Sequence, residues 1–63
     1  MIQYGIWDED KGGWVDDTVG LRYNECLKTG YTVIGKGKLP AATDMEMLKF
    51  LVENHFDLRP LGN

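Results

Sequence analysis

The sequence predicts an α+β fold: a small antiparallel or mixed sheet, element order β-β-α-β-α with an optional final β, and helices packed on one face. Three observations predict it. The 63 residues suffice for one domain, 1–63, and for little more than one core. The chain opens with apolar residues at alternate positions, then an acidic, glycine-rich turn, then a second apolar run, which is the pattern of a hairpin. Near its end a capping box precedes a segment with helical spacing.

In the first run, Ile2, Tyr4 and Ile6 point one way and Gln3, Gly5 and Trp7 the other. Asp8-Glu9-Asp10-Lys11-Gly12-Gly13 supplies the turn, with both glycines free to take positive φ. Residues 14–18 return antiparallel, in a register that so long a connection leaves open. Thr18 or Asp17 then caps a short helix over about 20–28, in which Tyr23, Cys26 and Leu27 share a face. Lys28 and Gly30 suit its C-terminus, while Gly20 weakens it by about 1 kcal/mol. The β-branched Tyr31-Thr32-Val33-Ile34 reads as a third strand. It runs on through Gly35-Lys36-Gly37-Lys38-Leu39 as a lysine-bearing edge until Pro40 ends it.

The clearest element is a helix over about 44–55, started by the box Thr43-x-x-Glu46. Met45, Met47, Leu48, Leu51, Val52, His55 and Phe56 form its apolar arc, and Glu46, Lys49 and Glu53 a narrow polar strip with Phe50 beside it. The tail Asp57-Leu58-Arg59-Pro60-Leu61 either adds a short edge strand or packs down.

Net charge is −3 and segregated: −4 over residues 1–20, +3 over 21–40 and −2 over 41–63. An acidic balance argues against non-specific nucleic-acid binding. The single Cys26 forms no intramolecular disulfide, which fits a reducing, cytoplasmic location. With the single His55 it makes no structural zinc site, and no cofactor is expected. Glu46, Lys49 and Glu53 interrupt the longest apolar stretch, excluding a transmembrane span. Met1-Ile2-Gln3-Tyr4 lacks the basic and apolar regions of a signal peptide.

Catalytic motifs fail on their spacing. Asp8-x-Asp10 opens like a calcium loop, but Gly12 brings no side-chain oxygen to the fifth position and Val19 stands where a bidentate glutamate is needed. Gly35-Lys36-Gly37-Lys38 is followed by Leu39-Pro40, not by the Ser/Thr and helix of a phosphate loop. Serine is absent. Cys26 and His55 both occupy apolar helical positions, which suit a buried thiol and a core histidine better than a nucleophile and its base. Carboxylates in a solvated turn lack the raised pKa of an acid catalyst. The expectation is a protein that is not an enzyme.

The aromatics point to binding. A helix layer covers one face of a sheet, and Tyr4 and Trp7 lie on opposite faces. Either at least one of Tyr4, Trp7 and Trp14 is exposed unless the domain associates, or both tryptophans belong to the core or shield the open face. The expected contact surface has Trp7 and Trp14 as anchors and Asp8, Glu9, Asp10, Asp16 and Asp17 steering a basic protein partner. Phe50 extends it if uncovered. Self-association through edge strands or the Phe50 region is the second expectation. The alternative is a nucleic-acid-binding module over segment 22–38, with Arg22, Lys28, Lys36 and Lys38 on phosphates and Tyr31 stacking on a base.

The stretch Tyr4-Gly5-Ile6-Trp7-Asp8-Glu9-Asp10-Lys11-Gly12-Gly13-Trp14-Val15, about a fifth of the chain, resembles the N-terminal hairpin of small phage and prophage accessory proteins. The resemblance brings no catalytic residues. It implies a small protein of the host cytoplasm that binds and modulates, or inhibits, a host or defence protein.

Overall fold

A computed structural model describes residues 2–62. It is a small α+β fold: strand β1 Tyr4–Asp8, strand β2 Gly13–Trp14, helix α1 Tyr23–Ile34, helix α2 Asp44–Glu53 and strand β3 Phe56–Pro60. The sheet is antiparallel with order β2-β1-β3, so β1 is central and the tail residues form an edge. Ile6 sits opposite Leu58, Tyr4 opposite Pro60 and Asp8 opposite Phe56. Both helices pack on the face that carries these residues, over a core of Ile6, Cys26, Leu27, Met47 and Leu51.

One expected strand is a helix. Residues 31–34 continue α1, and the run after them is a turn. Gly30 is not a helix stop: it is buried inside α1, where a Cβ would collide with Ile6 Cδ1. The glycine lets the helix lie directly on the central strand. The helix stops four residues later, at Ile34. Lys36 N–H reaches Val33 O at 3.2 Å and Gly37 N–H reaches Thr32 O at 2.8 Å, with Lys36 at φ 57 and Gly37 at φ 71. These two bonds close the last turn and satisfy its carbonyls.

Thr18 does not cap a helix either. The α1 N-cap is Arg22, which makes no side-chain cap bond. Thr18 is fully buried and splices its hydroxyl into the sheet. Ile6 N–H donates to Thr18 Oγ1 at 3.2 Å, and that hydroxyl donates to Val15 O at 2.6 Å. The chain bulges out over Asp16 and Asp17, Asp17 at φ 69, and returns so that Leu21 bridges Tyr4. The relay fills the gap that this detour leaves in the ladder, because a buried N–H without a partner is costly.

The α2 capping box forms: Glu46 N–H donates to Thr43 Oγ1 at 3.2 Å and Thr43 N–H donates to Glu46 Oε1 at 2.9 Å. The helix ends at Glu53, and its apolar face is rotated from the expected arc. Met47 and Leu51 are buried and Phe50 is half-buried, its ring edge-on to Tyr31 at 5.4 Å. Met45 and Val52 are 81% and 62% exposed. The cause is α1, which lies along the Phe50 flank and draws that flank into the seam.

Candidate functional site

The face of the sheet turned away from the helices carries Gly5, Trp7, Trp14, Asp57 and Arg59, because side chains alternate and Ile6 and Leu58 point into the core. Trp7 and Trp14 oppose each other directly in the ladder. Their rings meet edge to face with centroids 5.2 Å apart. Such a pair contributes about 0.5–1.5 kcal/mol beyond its burial and fixes the orientation of both rings. Gly5 makes room beneath: a Cβ there would stand 3.0 Å from Trp14 Cε3 and Cζ3. The Trp14 ring therefore approaches the central strand closely at Gly5.

Arg59 closes the other side. Its guanidinium carbon sits 4.9 Å from the Trp7 ring centroid, and Nε donates to Asp57 Oδ2 at 2.7 Å. The ion pair helps to hold the guanidinium beside the indole, a cation–π contact worth about 0.5–1 kcal/mol at an exposed site. Val19 stands beside Gly5 and is 47% exposed. Trp7 is half-buried and Trp14 is 42% exposed. The tryptophans thus shield the open face only in part, and a continuous aromatic–guanidinium platform remains accessible.

The acidic residues divide between turn structure and rim. Asp8 Oδ1 accepts from Asp10 N–H at 3.0 Å and Lys11 N–H at 3.1 Å, so Asp8 builds the turn, helped by Gly12 at φ 70. Asp10 pairs with His55 Nδ1 at 3.1 Å. His55 is therefore no core residue: it leaves α2 at φ 66 and lies exposed beside the hairpin tip. Glu9, Asp16 and Asp17 are exposed. Asp8, Asp16 and Asp17, with Lys11 and Lys36, border a groove of ≈ 520 Å³ between the hairpin and the end of α1. Phe50 lies apart from all of these, in the α1–α2 seam.

Reactive groups are not brought together. Cys26 is fully buried and donates to Thr18 O at 3.3 Å, and burial pushes its thiol up to about 11. It stays protonated at neutral pH, and His55 is engaged at the surface. Among the described residues no group of three or more His, Cys, Asp or Glu side chains could hold a metal ion, and no helix is long and apolar enough to cross a membrane. Tyr31 donates its hydroxyl to Pro40 O at 3.0 Å and packs on Phe50, which removes it as a free stacking surface.

No family model, no curated protein and no solved structure matches this chain.

Gly5, Val19, Asp57 and Arg59 belong to the platform although sequence reasoning did not place them there. Gly5 read only as a strand position. The parity of Asp57 and Arg59 follows at once if the tail is taken as a strand against β1, so the signal was present in the alternation of Phe56, Leu58 and Pro60 with charged residues.

Proposed function

We propose that this chain is a non-enzymatic binding protein acting through the helix-free sheet face. Trp7 and Trp14 are the anchors, Arg59 is a third contact residue, and the exposed acidic residues of the hairpin region, Glu9, Asp16 and Asp17, steer a basic protein partner. The observation that carries this is the Trp7–Trp14–Arg59 platform, preassembled on a face the helices leave open. Tryptophan, tyrosine and arginine dominate binding hot spots because they bury much surface with little rotamer entropy lost. Here the rings are already fixed by each other and by the Asp57–Arg59 pair. Together with the resemblance of the opening hairpin, this supports a phage-type modulator or inhibitor of a host or defence protein in the bacterial cytoplasm.

The test is affinity capture from bacterial lysate with the wild type and a Trp7→Ala/Trp14→Ala variant, folding of both verified by circular dichroism. Loss of a specific captured protein in the folded variant is expected, with binding weakened about a hundredfold or more for two anchors. Equal capture by both removes the proposal.

A further inference from the structure

We propose that two copies of this chain pair through the outer edge of β3 and the adjoining flank of α2, forming a two-fold symmetric dimer with one continuous six-stranded sheet. Backbone polarity comes first. Along β1, Tyr4, Ile6 and Asp8 spend their backbone groups on the hairpin side: Tyr4 N–H reaches Leu21 O, Val15 N–H reaches Ile6 O, and Gly12 N–H reaches Asp8 O. Gly5 and Trp7 therefore face β3, where Arg59 and Asp57 oppose them. Phe56, Leu58 and Pro60 consequently turn their backbone groups outward, to an edge with which no strand among the described residues pairs. Pro60 has no N–H to lose there, which suits it to such an edge.

The sequence of that edge is complementary to itself. With the two-fold axis at Leu58, an antiparallel partner sets Asp57 against the partner's Arg59 and Arg59 against the partner's Asp57, both pairs on the open face. Two bonds join the Leu58 residues, and one more runs from each Phe56 N–H to the partner's Pro60 carbonyl. An axis at residue 57 or 59 would instead set like charges directly opposite, which is unfavourable. Charge thus disfavours the two neighbouring registers, and the axis at Leu58 is the one that pairs Asp57 with Arg59. Asp57 and Arg59 are both half-exposed, and a guanidinium carries donors beyond the Nε that Asp57 already takes.

The second layer agrees. At 100° per residue, Leu48, Val52 and Met45 lie some 140–160° around α2 from Phe50, the residue that meets α1. Since α1 packs on β1 and α2 on the edge strand β3, this flank looks outward past the same edge. Met45 and Val52 are among the most exposed apolar side chains of the protein. Pairing at β3 would bring the two flanks towards each other and bury what the single copy leaves in water. The dimer would also carry two tryptophan platforms on one surface.

Sedimentation velocity from about 1 µM to about 1 mM decides this. The wild type is expected to shift from monomer to dimer with concentration. Asp57→Arg alone and Arg59→Asp alone each replace two attractive pairs with two repulsive ones, and each should dissociate about tenfold or more readily. A mixture of the two variants restores both pairs and should dimerise as the wild type does. Val52→Lys, outside the strand and the platform, should also weaken association. Circular dichroism confirms the fold of each variant. A wild type monomeric throughout, a dimer indifferent to the single reversals, or a mixture that fails to reassociate would each overturn the proposal. The result is separable from the platform reading, because Val52→Lys splits the dimer without touching Trp7 or Trp14.

Discussion

At the scale of single residues, Gly30 and Cys26 show why identity and environment must be read together. Glycine inside a helix costs about 1 kcal/mol against alanine, so Gly30→Ala would stabilise an isolated helix. In the folded protein the added methyl meets Ile6 Cδ1, and overpacking of that kind costs about 1–3 kcal/mol. The variant should be destabilised in urea denaturation. Ile6→Val removes the colliding carbon at a cost of its own of about 0.5–1.5 kcal/mol. The Gly30→Ala/Ile6→Val pair should therefore be more stable than the sum of the single changes predicts. Additive losses would place the strain elsewhere. Cys26 gives a pH signature. Its thiol is raised from 9.0 to about 11 by burial, so the folded state favours the protonated form. The stability this represents is complete below pH 9 and is lost as pH rises through about 11, because the unfolded thiol ionises first. Between those values the melting temperature of the wild type should fall more than that of Cys26→Ala. Parallel curves would show that the thiol is not held in the core.

At the scale of elements, the hairpin, the start of α2 and the buried thiol helix were legible, and the length of α1 was not. The capping box is a local signal, since Thr43 and Glu46 satisfy each other's backbone within one turn, and it forms as expected. Thr43→Ala should cost about 1 kcal/mol in chemical denaturation. Glu46 is held below the usual carboxylate range by the Thr43 N–H and then by its hydroxyl. Its contribution is present above the ordinary glutamate pKa and is lost as pH falls through the lowered value, so the Thr43→Ala deficit should shrink in acid. Residues 31–34 misled because their signal is tertiary. Three of the four are β-branched, and a glycine precedes them, yet the packing of Gly30 on Ile6 and of Tyr31 on Phe50 outweighs a propensity of a few tenths of a kcal/mol per residue. Thr18 was unreadable for a related reason. Nothing local announces that its hydroxyl completes a ladder twelve residues away. The tail sequence is compatible with a strand or a packed coil, and its pairing with β1 is what brings Arg59 onto the platform.

At the scale of the whole molecule, the two helices and three strands are too few to cover both faces of the sheet. They bury Ile6, Leu27 and Leu51 between sheet and helices and leave the Trp7–Trp14–Arg59 face to water. The uneven charge fits the same division, with the acidic hairpin tip at one end of that face and the basic segment confined to α1 and its C-terminal turn. The central claim is that this open face is where a partner docks, and it can be tested without removing either tryptophan. Val19 borders the platform and is 47% exposed, so a photo-crosslinking side chain there reports on the face without disturbing it. A matching probe at the exposed Glu25 on α1 serves as the control. On irradiation in bacterial lysate, the account predicts one discrete adduct from position 19 and none of that mass from position 25. The same adduct from both positions, or an adduct from position 25 alone, would contradict it.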